Sequence, residues 1–371
     1  MKVGVPTEIK ANEHRVGLTP AAVSEYVAAG HEVVVQSMAG AGIGASDETY
    51  RASGAIIADT AVEIFATADM IVKVKEPQAS EYSQLREGQI LYTYLHLAPD
   101  PEQTKGLLSS GCTAIAYETV TDADATLPLL APMSEVAGRL SIQAAASALE
   151  KHNNGEGLLL GGVPGVKPAE IVVIGGGVVG TNAAKMAVGL GAQVTIFDRS
   201  LKRLRQLDDL FDGRVHTVYS TKAALAEAVE TADAVIGAVL IPGAAAPRLV
   251  TRDMLATMKE GAALVDVAID QGGCFETSKA TTHEKPTYVV DGVVHYCVAN
   301  MPGAVPKTSS YALNNATLQH GLALANNGLG ALDNPYLLQG LNVHQGKLTY
   351  KAAADNLEYG YCDPREVLKC A

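Results

Sequence analysis

The stretch from Ile171 to Asp198, IVVIGGGVVGTNAAKMAVGLGAQVTIFD, constrains this chain more than any other. An apolar run, Ile171 to Ile174, meets Gly175, Gly177 and Gly180 in G-x-G-x-x-G spacing. A helix-like segment follows, and a second apolar run, Val194 to Phe197, ends on Asp198. The order reads as strand, turn, helix, strand. In such a unit the first glycine permits a tight turn, the second lets the backbone approach a pyrophosphate, and the third lets helix and strand pack closely. Phosphates then rest on the helix N-terminus, where unpaired N–H groups and the positive end of the dipole favour anions. A bare glycine pattern says little in a chain with 36 glycines; the strands, the helix and the terminal acid in register are what point to a dinucleotide site. Asp198 stands where an acid can accept hydrogen bonds from the adenosine ribose, which favours NAD over NADP. Arg199 and Arg203 lie close by and leave open a guanidinium partner for a 2′-phosphate.

With 371 residues the chain has room for two domains. The first ~130 residues repeat a short apolar run followed by an amphipathic segment, the pattern of a parallel sheet covered by helices. The runs are Val3 to Val5, Glu32 to Val35, Ala55 to Ile57, Met70 to Val74, Ile90 to Tyr92 and Thr113 to Ala116. Between them the clearest helix spans Pro20 to Ala29, with Thr19 as cap and Gly30 as stop. An alanine-rich segment, Ser134 to His152, suits a closely packed helix. Beyond the glycine pattern the second sheet continues through Val215 to Tyr219, Ala234 to Gly237 and Ala263 to Val267, and a helix is expected in the run from Val305 into Tyr311 to Asn326. The expected fold is α/β, two Rossmann-like doubly wound parallel-sheet domains with one inserted into the other. Residues 1–130 with 306–371 form a substrate and catalytic domain, and 131–305 the NAD-binding domain.

A net charge of −12 and a pI near 5.2 argue against nucleic acid or an anionic membrane as partner. The five cysteines are odd in number and scattered, without a C-x-x-C pair, which fits reduced thiols rather than a disulfide frame. The N-terminal run passes straight into charges and the other apolar stretches break before the ~20 residues of a membrane span, so a soluble, cytoplasmic protein is expected.

Ligands of open parallel sheets bind beyond the carboxyl ends of the strands. Arg15, Lys75 and His96 follow strand-like runs of the first domain in this way, and Asp270 follows one of the second. Each has a plainer reading. Arg15 can be a surface cation, Lys73 and Lys75 a polar sheet edge at period two, His96 a satisfied core histidine, and Asp270 the start of a turn.

At these residues the chain resembles the alanine dehydrogenase family, which also includes the transhydrogenase α-subunits. The resemblance is carried by VGVPTEIKANEHRVGLTP, KVKEPQ, YLHLA, LLAPMSEVAGRLS, the glycine pattern, VDVAIDQGG and VANMPGAVPKTSSYALNNAT, in order along nearly the whole chain. It implies NAD-dependent, reversible oxidative deamination of L-alanine to pyruvate and ammonium, with the domain insertion described above and a homohexamer. It places substrate binding on Arg15 and Lys75 and catalysis on His96 and Asp270. NAD contacts are implied at Ser134, Gly175, Gly177, Val178, Gly180, Asp198, Arg203, Ser220, Val239, Leu240, Val267, Ala268, Ile269, Asp270, Val298, Asn300 and Met301. Some members bind a divalent cation through an acid like Glu118 and a histidine of the late helix. Here Asn327 stands in place of that histidine, so no metal is assigned.

The implied chemistry suits the residue types. Arg15 offers a paired donor fork to a carboxylate, while Lys75 either binds the carboxylate or polarises the carbonyl. His96 is fit to exchange protons near neutrality, and Asp270 to offset charge on the substrate nitrogen. Three other readings compete: the NAD-binding subunit of a transhydrogenase, a saccharopine-type dehydrogenase with a larger substrate, and a nucleotide-sensing module without catalysis.

Overall fold

The computed structural model describes residues 1–239 and 246–369. Its contacts divide the chain into two compact units, Met1–Met133 with Val305–Ala371, and Ser134–Ala304.

The first unit is built on six parallel strands: β1 (Lys2–Val5), β2 (Glu32–Gln36), β3 (Ile56–Ala58), β4 (Met70–Val72), β5 (Ile90–Thr93) and β6 (Thr113–Ala116). They lie in the order β6-β5-β4-β1-β2-β3. Their apolar character follows from cover on both sides: β4, β5 and β6 are buried at every position. The helix Pro20–Ala28 begins as its sequence dictates, with Thr19 accepting from the N–H of Ala22 and Pro20 in the first turn.

One feature of this sheet was not anticipated. A hairpin, Leu341–His344 with Lys347–Leu348, adds two antiparallel strands beside β6. Its turn is Gln345-Gly346, both at positive φ, the two-residue geometry that matches strand twist.

The helix Pro306–Asn327 belongs to the first unit and fixes the loop after β1. Asn314 accepts from the N–H of Thr19 at 2.7 Å and donates to the carbonyl of Gly17 at 2.9 Å. Ser310 accepts from the N–H of Val16. One helix thus holds residues 16 to 19 by backbone bonds, and with them the adjoining Arg15.

The second unit has five parallel strands, β7 (Glu170–Ile174), β8 (Gln193–Asp198), β9 (His216–Tyr219), β10 (Ala234–Gly237) and β11 (Ala263–Asp266), ordered β11-β10-β7-β8-β9. Successive residues feed two separate cores. Ile171, Val173, Ile236 and Val265 pack into one, and Val172, Ile174, Val235 and Leu264 into the other. This alternation is the mark of a sheet covered on both faces. An Asp291-Gly292 hairpin, Thr287–Val290 with Val293–Tyr296, extends the edge beside β11, its second strand parallel to β11 and its first antiparallel to that strand.

Among the described residues no helix is long and apolar enough to cross a membrane.

Candidate active site

In the second unit the turn after β7 has the geometry that its glycines foretell. Gly175 sits at φ +102°, and a Cβ there would meet the carbonyl oxygen of Ala238 at 2.6 Å and the side chain of half-buried Val239 at 3.2 Å. A Cβ on Gly180 would lie 1.8 Å from the carbonyl oxygen of Gly175, so helix and turn approach too closely for any side chain. At Gly177 nothing lies within 4 Å of where a Cβ would be. The open position is the one through which a phosphate would reach the backbone. The helix Val178–Gly189 begins there with no side-chain cap on its first N–H groups, and Val178 itself is exposed.

Asp198 closes β8 beside this turn. Its Oδ2 accepts from the N–H of Gly176 at 2.8 Å and its Oδ1 from the N–H of Ser200 at 2.8 Å. A carboxylate has roughly four acceptor sites, so capacity for ribose hydroxyls remains. Ser220 donates its N–H to the Asp198 carbonyl at 3.0 Å, which brings the end of β9 to the same place. Arg203 is committed to the turn: Nε donates to the Gly176 carbonyl at 2.6 Å, Nη2 to Thr181 Oγ1 at 2.6 Å and Nη1 to Gln206 at 3.0 Å. In this state it braces the glycine turn. A 2′-phosphate would have to displace those bonds, and Arg199 is simply exposed. The residues around β7 and β8 therefore fit NAD.

The segment after β11 is organised by a residue the sequence reading passed over. Asp266 is fully buried, and its carboxylate accepts from the N–H groups of Ala268, Cys274 and Phe275 and from the hydroxyl of Ser278. Burial, only partly offset by these donors, pushes its carboxyl above the usual range. The bonds shape the one-turn 3-10 helix Val267–Gln271, on which Ala268 and Ile269 are buried, Val267 is half-buried and Asp270 is exposed. Val298 and Met301 are buried, and Asn300 between them takes φ +58°. Ser134 is half-buried in the helix Ala131–Ala148. Leu240 lies outside the described residues.

In the first unit Arg15, Lys75 and His96 follow β1, β4 and β5, which are adjacent and parallel. The three residues therefore follow the carboxyl ends of adjacent strands. Arg15 is 3% exposed and is gripped by Glu13, with Nε to Oε1 at 2.6 Å, Nη2 to Oε2, and its own N–H to Oε1 at 3.0 Å. Nη1 points to the Met133 sulfur at 3.1 Å. Burial opposes the charge, but the Glu13 hydrogen bonds and charge outweigh it and raise the guanidinium pKa. Arg15 is thus a held, buried cation and not the surface residue of its plainer reading.

Lys75 is half-buried, its Nζ 3.8 Å from Glu76. Glu76 is also bound by Lys10, and although burial works against ionisation, these two lysines hold its carboxyl below the usual range. Lys73 corrects the idea of a polar edge, since β4 is internal and Lys73 is fully buried. It donates to Glu8 at 3.0 Å and Glu81 at 2.8 Å, and these charges raise its pKa despite burial. Glu8 in turn accepts from the N–H groups of Val74 and Lys75.

His96 likewise departs from the core-histidine reading. Its side chain is 45% exposed, its ring stacks on Tyr94 at 5.7 Å and 4°, and its backbone takes φ +50°. Tyr94 is buried, donates to the Leu129 carbonyl at 2.6 Å, and stays protonated because burial outweighs the pull of Arg15. Glu118 accepts the N–H of His96 at 2.6 Å. Glu13 lies only two residues from Arg15, whereas Glu8 and Glu81 meet Lys73 through the fold, and no local spacing reveals them.

This chain matches two family models, "Alanine dehydrogenase/PNT, N-terminal domain" over residues 4–137 and "Alanine dehydrogenase/PNT, C-terminal domain" over residues 141–351. It is 60% identical to an alanine dehydrogenase of Halomonas elongata, covering 97% of this chain and 98% of that one. The chain belongs to the alanine dehydrogenase/PNT family. A solved L-alanine dehydrogenase superposes with a TM-score of 0.94 at 52% identity, covering 96% of this chain and 99% of the other. The transhydrogenase from Sinorhizobium meliloti superposes at 0.82 with 27% identity, over 95% and 100% of the two chains. Within the family, then, this member stands nearer the dehydrogenases.

Proposed function

We propose that this chain catalyses the NAD-dependent, reversible oxidative deamination of L-alanine to pyruvate and ammonium. One observation carries the reading: Arg15, Lys75 and His96 follow the carboxyl ends of adjacent parallel strands in a chain that is 60% identical, over nearly its whole length, to an alanine dehydrogenase. That identity, against 27% to the transhydrogenase, favours amino-acid chemistry over a nucleotide carrier.

The residues divide the work as follows. Arg15 binds the alanine carboxylate, with Glu13 fixing the guanidinium so that little ordering remains to be done on binding. Lys75 adds a second cation for the carboxylate or the carbonyl oxygen of pyruvate. The glycine turn, with Asp198 on the ribose, would hold NAD, which would supply the acceptor for the α-carbon hydride once the substrate ammonium has given up a proton. The resulting iminopyruvate needs water at the imine carbon. His96 takes a proton from that water and returns one to the nitrogen, so that ammonia leaves and pyruvate remains. Asp270 offsets the positive charge on the substrate nitrogen. Ser134, Gly175, Gly177, Val178, Gly180, Asp198, Arg203, Ser220, Val239, Leu240, the Val267 to Asp270 segment, Val298, Asn300 and Met301 are proposed as the NAD contacts, with Arg203 acting through the turn it braces.

The proposal extends to a cytoplasmic homohexamer, in line with the family resemblance, and to small-molecule partners only, in line with the net charge of −12. It assigns residues 1–130 and 306–371 to substrate and 131–305 to NAD. Its test is reduction of NAD by L-alanine, followed as NADH absorbance, with saccharopine in parallel. Turnover with L-alanine alone is expected; no turnover with it, or preference for saccharopine, would overturn the reading.

A further inference from the structure

The structure assigns Glu118 a role as the positioning residue of His96, an inference that rests on the dehydrogenase reading above. Its carboxylate receives two consecutive backbone N–H groups. His96 donates to Oε1 at 2.6 Å, and Leu95 reaches both oxygens at 3.2 Å. Consecutive N–H groups around a left-handed residue form the concave arrangement that backbone uses to hold anions, and His96 is at φ +50°. A β-carbon-bearing residue resists that conformation, so something must hold it there. Gln103 secures the other side of the same peptide, donating to the Leu95 carbonyl at 2.7 Å.

The consequence falls on the imidazole. His96 is thus held at both ends, its backbone N–H by Glu118 and its ring by the stack on Tyr94. The same Oε1 lies 3.8 Å from Nδ1, on the ring's near side. Glu118 thus acts through His96 and need not touch substrate. This differs from the cation role that the resemblance attaches to an acid here. The two oxygens already face three N–H contacts, and the partner position is Asn327, an exposed amide. Among the described residues no group of three or more His, Cys, Asp or Glu is placed to hold a metal ion. The residues do not fit a divalent cation.

The test is a double-mutant cycle between Glu118→Ala and His96→Ala, with Glu118→Gln as a milder variant that keeps an acceptor oxygen. Misplacing a reacting group by about 1 Å costs up to about 100-fold, so Glu118→Ala is expected to lower kcat by about 10- to 100-fold with alanine KM and NADH affinity within about twofold. Glu118→Gln should lose less. In the His96→Ala background Glu118→Ala should cost nothing further, because the residue it positions is gone. A crystal structure of Glu118→Ala should show residue 96 out of the left-handed region. Additive losses, or an unchanged kcat in Glu118→Ala, would overturn the role. So would wild-type activity that EDTA abolishes and Mg²⁺ or Mn²⁺ restores, provided the Glu118 variants lose that response. If Glu118→Ala fails to fold, the cycle is run with Glu118→Gln and the same criteria decide. A wild-type protein inactive on L-alanine would instead remove the dehydrogenase reading, and this role with it.

Discussion

The Arg15 guanidinium lies against the Glu13 carboxylate in a two-pronged hydrogen bond, with Nε to Oε1 at 2.6 Å and Nη2 to Oε2, and both residues are buried. The fork that was expected to grip a substrate carboxylate is thus already oriented by a partner two residues away. Glu13 fixes the plane of the guanidinium, and a lysine at position 15 would be a point charge without that plane. Arg15→Lys is expected to raise KM for alanine and pyruvate by about 10- to 100-fold, roughly 1.5–3 kcal/mol, with kcat less affected. Steady-state kinetics in both directions check it, and a wild-type KM would remove Arg15 from substrate binding.

Asp198 and Arg203 together set the cofactor expectation. The first offers acceptor capacity beside the turn, and the second has its donors engaged by Gly176, Thr181 and Gln206. NAD should be preferred over NADP by at least about tenfold in kcat/KM. Asp198→Ala should weaken NADH by about 1–3 kcal/mol, since it removes the acceptor of two backbone N–H groups as well as the ribose partner. Equal turnover with NADP in the wild type would contradict the assignment.

Much of this was legible in the sequence, for a physical reason. Parallel strands covered on both faces are short apolar runs, and β1, β2, β5, β6, β7, β8 and β10 lie where those runs are. The antiparallel hairpins at the two sheet edges are short, and their signal lies in the turn pairs Asp291-Gly292 and Gln345-Gly346 and not in long apolar runs. The positions of Arg15, Lys75 and His96 beyond strand ends could be seen from the chain. Among the carboxylates that support these strand ends Glu13 is two residues from Arg15, but Glu8 reaches Lys73 across 65 residues and Glu118 reaches His96 across 22, and no periodicity encodes such pairs. Exposure of His96 was also hidden, since its apolar neighbours Leu95 and Leu97 are buried while it is not.

Asp270 is exposed on the 3-10 turn that Asp266 shapes, so its side chain makes little contribution to packing. Asp270→Asn should fold with an unchanged Tm and bind NADH, yet lose about 100-fold or more in kcat, because the amide carries no charge to offset that of the substrate nitrogen. Fluorescence titration with NADH alongside turnover checks this. Near wild-type turnover would reduce Asp270 to a turn residue.

Stability should depend on pH through three histidines. His295, His320 and His344 are all held below the ordinary value of 6.5, in each case first by burial, with Lys347 adding to the effect at His344. Above 6.5 both folded and unfolded chains are neutral at these sites. As pH falls below it, the unfolded chain takes up protons that the folded one refuses, so stability is lost from 6.5 down through the lowered values. The change in Tm between about pH 7.5 and about pH 5.5 should therefore be smaller in His344→Gln than in the wild type. Equal changes would mean that His344 does not contribute.

The central claim is that His96 exchanges protons with the substrate, and the most direct measurement is kcat and Tm of His96→Ala on one preparation. The side chain is 45% exposed, so its removal should leave Tm close to wild type. The loss of a general acid–base should lower kcat by about 10²- to 10⁴-fold while NADH affinity is unchanged. A variant that oxidises alanine at nearly the wild-type rate would contradict the claim.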